Sequence, residues 1–206
     1  LVRFEPAQEH AHRAVRANHW KSAKAEHHRA KIDLLNTIAT DVLRSNCVVT
    51  FHFDGDRPWA CRDDAENVEK FRSVVVHGVR QRLVAHQLPE ERIERALRRL
   101  VAVVPFYTLE AWLYQNAKRA TELCHTHHRG EHVDRYAEWE RDREQLDEIE
   151  RQWSVACLGK DHNVDLAQNG FPASLVASVG KSYASAVAAL RANTDMMAVL
   201  ESLQSA

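Results

Sequence analysis

The sequence lacks several features that would assign a function at once. Its four cysteines are scattered and form no CxxC pair, which excludes a zinc ribbon and a dense disulfide framework. Its six glycines form neither a P-loop nor a GxGxxG stretch, so nucleotide binding by a glycine-rich loop is not indicated. No GxSxG elbow is present, which argues against a serine nucleophile of the hydrolase type.

An excess of one charge and long apolar runs are also missing. Lys and Arg number 28 against 29 Asp and Glu, so a role on nucleic acid would need a local basic surface or a partner subunit. No apolar run approaches the roughly 18 to 20 residues of a membrane span. The residues after Leu1 are unlike a secretory leader. We therefore expect a cytoplasmic protein with reduced thiols and no membrane partner.

An alternation of strand and helix patterns is what the sequence does contain. The segments LVRFE, CVVTFHF and LVAVVPF have strand character, and each is followed by apolar residues at helical spacing. This order favours an α/β fold with a mainly parallel sheet flanked by helices. Later residues are helical in pattern. We predict an α/β domain over 1–130 and a helical extension packed on it over 131–206.

Acidic residues end the predicted strands. Glu5 ends the first, Asp54 and Asp56 in HFDGD end the second, and Glu110 begins the helix after the third. Functional groups collect at the carboxyl ends of parallel strands, and a few carboxylates with water satisfy Mg²⁺. Gly55 is expected to let the backbone turn between the two aspartates. The joint pattern predicts a divalent-metal site, although each acid alone is also common in turns or at helix starts.

This pattern resembles the Toprim domain of topoisomerases, primases and nucleases of bacterial phage-defence systems. EPAQE, with Glu5 and Glu9, looks like a variant of its E-G-x-x-E turn, in which Pro6 replaces the glycine. Asp54 and Asp56 match its DxD motif. The stretch VVPFYTLEAWLYQN is similar to the Glu-Ala-Trp-Leu segment of small bacterial Toprim-like proteins. The resemblance spans about residues 1–115, with a long helical stretch before the DxD strand.

The resemblance implies a nuclease that cleaves DNA or RNA with Mg²⁺ or Mn²⁺, and it points to the effector of a bacterial antiphage or toxin system. It implies metal ligands at Asp54, Asp56 and Glu110, with Glu5 as a ligand or general base. Basic residues near these motifs or in the C-terminal part are candidates for substrate phosphate: Lys160 in GKDHN, Lys181 in VGKSY, and Arg57. The lysines could equally lie on the surface without a role. A protein partner in a defence complex is expected, and a homo-oligomer is possible.

Three alternatives stay open. The segment CHTHHRGEH, residues 124–132, could bind zinc, but no second Cys/His pair of recognised spacing accompanies it, so a solvated helix end is preferred. Histidines such as His27 and His28, or His162, would suit a metal-independent RNase. The other alternative is a non-catalytic binding or assembly subunit whose acids cap helices. For docking, the charged segment 132–153 is predicted to be a surface helix that exposes Trp139 and Trp153.

Overall fold

The computed structural model describes residues 24–45, 47–168, 170–179 and 181–204. The first predicted strand, with Glu5, lies outside these residues. Within them the fold is mixed α/β and mostly helical, with one small sheet. The described residues form two compact units. Unit 1 takes its residues from Leu1–Phe51, Asn67–Ala102 and Ala189–Ala206, and unit 2 from His52–Glu66 and Val103–Ala188. Both units combine separate stretches of chain, and the predicted boundary near residue 130 stays a prediction.

The sheet consists of two parallel strands, β1 (Val49–His52) and β2 (Leu100–Val103). β-branched and aromatic residues favour extended backbone in both segments. The two strands keep one register, because backbone N–H groups in and after the first segment donate to carbonyls at matching places in or next to the second. The N–H of Val49 donates to Arg99, that of Phe53 to Val103, and that of Gly55 to Pro105. The prediction that these two segments are neighbouring parallel strands is confirmed.

Helices make up most of the rest. The α-helices of the described residues are, in chain order, α1 (Ala25–Asp41), α2 (Glu66–Lys70), α3 (His77–Ala85), α4 (Glu90–Arg98), α5 (Glu110–Leu113), α6 (Ala117–His128), α7 (Val133–Arg141), α8 (Asn163–Gln168), α9 (Ala173–Val179), α10 (Lys181–Ala192) and α11 (Thr194–Gln204). A π-helical turn, Phe71–Val76, joins α2 to α3. Short 3-10 helices cover Trp59–Asp64, Arg143–Glu148, Gln152–Ser154 and Lys160–His162.

The core of unit 1 lies between α1 and α3. Leu35 and Ile38 of α1 are buried, as are Val79 and Leu83 of α3. The two helices approach closely at Gly78, where an added Cβ would lie 2.9 Å from a methyl carbon of Leu35. Apolar residues at helical spacing thus build this unit, as the sequence pattern predicts.

The core of unit 2 contains a cluster of aromatic side chains that includes Trp139. Trp139 was predicted to be exposed, but it is only 1% exposed. Its ring centroid lies 5.4 Å from that of Tyr114 and 5.7 Å from that of Tyr136. The charged segment is not one surface helix, because α7 ends at Arg141 and a 3-10 helix follows. The apolar residues Tyr136, Trp139 and Leu146, on either side of this break, are buried. The side chain of Trp153 is not among those described.

The elements between 133 and 204 are helical, which agrees with the predicted character of this region. Among the described residues, no single helix is long and apolar enough to cross a membrane. Helices α9 and α10 meet the length and composition criteria only when taken together as a bent pair.

Candidate functional site

Two of the predicted acids come together in unit 2. Asp54 follows β1, and Glu110 opens α5 shortly after β2. The pKa of Asp54 is raised, mainly because surrounding protein atoms reduce the hydration of its carboxyl and also because the charge of Glu110 opposes ionisation. A repulsion of this kind requires the carboxyls to be near each other. The two acids thus lie near enough for their charges to interact, and the prediction that they share a metal ion stays a prediction.

Three further groups act on Asp54 in the opposite direction. The charges of His52 and Lys160 lower its pKa, and so does a hydrogen bond that the backbone N–H of Leu109 donates to its carboxylate. Lys160, the first residue of a 3-10 helix, is exposed and yet close enough to influence Asp54. Because Asp54 also remains open to solvent, a bound ion or an anionic substrate can reach both side chains.

Glu110 is held more firmly than Asp54. It is 5% exposed, and the side-chain amide of Asn163 donates a hydrogen bond of 3.0 Å to its Oε1. The Oδ1 atom of Asn163 is itself buried and has no hydrogen-bond partner among the described residues. Buried acceptors are nearly always satisfied, so an unpartnered oxygen beside Glu110 indicates room for a further donor or a cation.

The turn between the two aspartates differs from the expectation. Asp56, and not Gly55, has a left-handed backbone with φ of 58°. Asp tolerates this conformation better than most residues because its short side chain bonds locally. Gly55 is required for another reason: an added Cβ would lie 2.7 Å from the ring of Phe106. The absence of a side chain at Gly55 thus lets the residues after β1 pack closely against Phe106. The expectation that Gly55 supplies the sharp turn is corrected, because Asp56 has the left-handed backbone.

A divalent ion fits this place only in part. In the described ranges, no three His, Cys, Asp or Glu side chains are grouped so that they could hold a metal ion. Asp54 and Glu110 provide two carboxylates, which together with water can satisfy Mg²⁺. The oxygen of Asn163 is a further candidate donor. The roles of Asp56 and of Glu5, which lies outside the described residues, stay predictions.

The other two basic candidates have different surroundings. The Nζ atom of Lys181 lies 3.1 Å from a carboxylate oxygen of Glu148 and 3.6 Å from one of Glu144. These ion pairs give its charge a partner within the protein. Arg57 is exposed just after the DGD turn, and its carbonyl accepts a hydrogen bond of 3.3 Å from Tyr107. Phosphate binding by Lys181 or Arg57 stays a prediction.

Three imidazoles meet at the end of α6. The ring of His162 lies 5.3 Å from that of His127 and 5.9 Å from that of His128, measured between centroids. The Nε2 atom of His128 and the Nδ1 atom of His162 are buried, and neither has a hydrogen-bond partner in the part of the chain that the structure describes. In the sequence, the segment 124–132 is a zinc candidate and His162 is an RNase candidate, with no sign that they are close. The fold places His162 next to His127 and His128.

Two contributors to the site, His52 and Asn163, were not predicted from the sequence. His52 is part of the HFDGD segment, two residues before Asp54, so its closeness could have been read from the strand. Asn163 lies in GKDHN beside Lys160, but nothing in its sequence context indicates a bond to Glu110. Comparison of the chain with protein-family models, with curated proteins and with solved structures found no match.

Proposed function

We propose that this chain is a divalent-metal-dependent nuclease with a Toprim-like site, which hydrolyses phosphodiester bonds of DNA or RNA with Mg²⁺ or Mn²⁺. The observation that supports the proposal most is the closeness of Asp54 and Glu110 after two neighbouring parallel strands, with Lys160 beside them. A solvent-exposed carboxylate next to a buried one, with an ammonium near the exposed one, suits a metal ion and a phosphate group together.

Each residue has a separate role in this proposal. When bound, the ion would neutralise phosphate charge and make a water molecule a better nucleophile. Asp54 and Glu110 would hold it, and the amide of Asn163 keeps the carboxylate of Glu110 in one orientation. Lys160 would attract the phosphate and stabilise negative charge on the leaving oxygen. The Toprim resemblance extends the proposal to an effector of a bacterial antiphage or toxin system that works with a protein partner.

A nuclease assay with isosteric variants tests the proposal. Asp54→Asn and Glu110→Gln keep the shape of each side chain but remove its charge. We expect each to lower Mg²⁺-dependent cleavage on the order of 100-fold, because bound ions contribute several kcal/mol to charge stabilisation. Asp63→Asn is the matched control, since Asp63 is exposed in the same unit. Single- and double-stranded DNA and RNA are compared, with Mg²⁺, Mn²⁺ or EDTA.

Separate measurements distinguish loss of chemistry from loss of fold. Circular dichroism of the variants must match that of the wild type, and calorimetry must detect Mg²⁺ binding to the wild type and not to Glu110→Gln. Intact cleavage by both variants would refute the metal-site proposal. A wild type that binds no Mg²⁺ and cleaves none of the substrates would favour the non-catalytic binding or assembly subunit.

The histidine group supports a second candidate function, a metal-independent RNase. Two imidazoles near each other can divide general-acid and general-base roles at neutral pH, and His127, His128 and His162 lie within such reach. This candidate predicts RNA cleavage that persists in EDTA and is lost in His162→Ala. The metal-dependent candidate predicts instead that EDTA abolishes cleavage.

A further inference from the structure

Two of the four cysteines, far apart in sequence, meet inside unit 2. The Sγ atoms of Cys124 and Cys157 lie 2.7 Å apart. Cys124 is buried on α6, and Cys157 is half-buried in the segment that leads to the 3-10 helix at Lys160. Both are free thiols. Neither belongs to the proposed metal site, and their closeness requires an explanation of its own.

The geometry points to a modification site: we propose that Cys124 and Cys157 form an intramolecular disulfide by exchange with a small-molecule disulfide such as oxidised glutathione. Two sulfurs in contact already satisfy the main requirement for a bridge, which is that the side chains point toward each other. The sequence spacing alone gave no sign of this pair.

The reaction proceeds in two balanced steps. The thiolate of Cys157, the more accessible of the two, attacks one sulfur of oxidised glutathione, and one glutathione thiolate leaves. The thiolate of Cys124 then attacks Cys157 in the mixed disulfide and displaces the second glutathione. The protein loses two electrons and two protons, and the oxidant gains them as two glutathione thiols.

Exchange is expected to be slow at neutral pH. Burial, together with the hydrogen bond to Cys124, raises the pKa of Cys157 to about 11, while a contact from the hydroxyl of Tyr136 at 3.3 Å lowers it somewhat. The groups that face this thiol are therefore Cys124 and Tyr136. Since the thiolate is the attacking species, the rate of oxidation should rise with pH.

The bridge would link α6 to the segment that carries Lys160. It would close a long loop, because the two cysteines are separated by 33 residues in sequence. Closing a loop of this size restricts the unfolded chain and stabilises the folded one. We expect the melting temperature of the oxidised chain to be several degrees higher, and the increase to disappear on reduction. This expectation does not depend on the proposed nuclease activity.

Mass spectrometry of the full chain tests the proposal. The protein is incubated with oxidised glutathione, the remaining thiols are alkylated under denaturing conditions, and the intact mass is measured. We expect a bridged species lacking two hydrogens, two alkylated cysteines in place of four, and a non-reduced peptide that joins Cys124 to Cys157. Cys61→Ser is the control, because Cys61 is exposed and its loss should leave the bridge unchanged.

Cys157→Ser should abolish the bridge, and the wild-type peptide map still decides the question if this variant fails to fold. Three outcomes would overturn the proposal. They are a stable glutathione adduct without a bridge, a bridge that involves Cys47 or Cys61, or four alkylated cysteines after prolonged oxidation at alkaline pH.

Discussion

Asp54 and Asp147 belong to the same unit, and loss of hydration raises the pKa of both carboxyls. Asp147 is only 1% exposed, and Ser182 donates to it through its backbone N–H at 2.9 Å and through its hydroxyl. The hydroxyl of Ser182 in turn accepts a hydrogen bond of 2.6 Å from the indole of Trp112. Asp54 is open to solvent and has a second carboxylate nearby.

The difference shows why a raised pKa does not by itself identify a functional carboxylate. Asp147 has partners for its oxygens within the protein, and it joins the 3-10 helix Arg143–Glu148 to the start of α10. Its environment suits a structural role. At Asp54 the neighbouring charge of Glu110 is unfavourable, and a bound cation would remove this repulsion. A carboxylate neighbour alone does not distinguish the two, because the charge of Glu148 also raises the pKa of Asp147. Access to solvent is what distinguishes the candidate site.

The largest effect on stability is expected at Asp147. Asp147→Ala would leave the N–H and hydroxyl of Ser182 without their acceptor in a buried place. We expect the free energy of unfolding to fall by about 2 to 4 kcal/mol. Urea unfolding measures it, with Asp63→Ala as the exposed control. Nuclease activity per folded molecule should not change, and a specific loss of activity would contradict the structural role.

A smaller effect is expected where the Asp54 turn packs on its neighbour. Gly55→Ala would bring a methyl group against the ring of Phe106 and cost about 1 to 3 kcal/mol of stability. Gly159→Ala is the matched control, because no atom of the described residues, apart from Gly159 and its chain neighbours, lies within 4 Å of the position its Cβ would take. Equal urea midpoints for the two variants would mean that the close approach of Gly55 to Phe106 is not needed.

Local sequence patterns predict the two strands well, but they do not predict which residue each side chain contacts. β1, β2 and the closeness of Asp54 to Glu110 follow from apolar runs and from the rule that parallel strands end at one edge. The burial of Trp139 could not be predicted in this way, because it depends on where the charged segment breaks. Contacts such as Asn163 with Glu110 join residues distant in sequence, and only the fold determines them.

Substitution of Lys160, which lies near the solvent-exposed Asp54, is expected to have an effect of intermediate size. Lys160→Gln should reduce cleavage about tenfold, since it removes one charge near the phosphate and leaves both carboxylates. Lys118→Gln is the control, because Lys118 is exposed on α6. The charge of Lys160 also lowers the pKa of Asp54, so the acid limb of the pH profile should move to higher pH. An acid limb that does not move would show that the charge of Lys160 does not influence the titration of Asp54.

The smallest expected effect concerns the stability of Asp54→Asn. The pKa of Asp54 is higher in the folded chain than in the unfolded one, so its ionised form destabilises the fold at neutral pH. The asparagine variant should therefore melt slightly higher than the wild type at about pH 7, a modest change because solvent reaches this side chain.

This advantage should shrink as the pH falls through the raised pKa of Asp54 and vanish below its usual value of about 4, where both states of the wild type are protonated. Added Mg²⁺ should raise the melting temperature of the wild type and leave that of the variant unchanged, because an ion stabilises only the folded chain that binds it. Thermal scans across pH, with and without Mg²⁺, measure both. If Asp54→Asn melts at a lower temperature than the wild type at neutral pH, the ionised Asp54 stabilises the fold. Asp54 would then be a structural carboxylate, as Asp147 is.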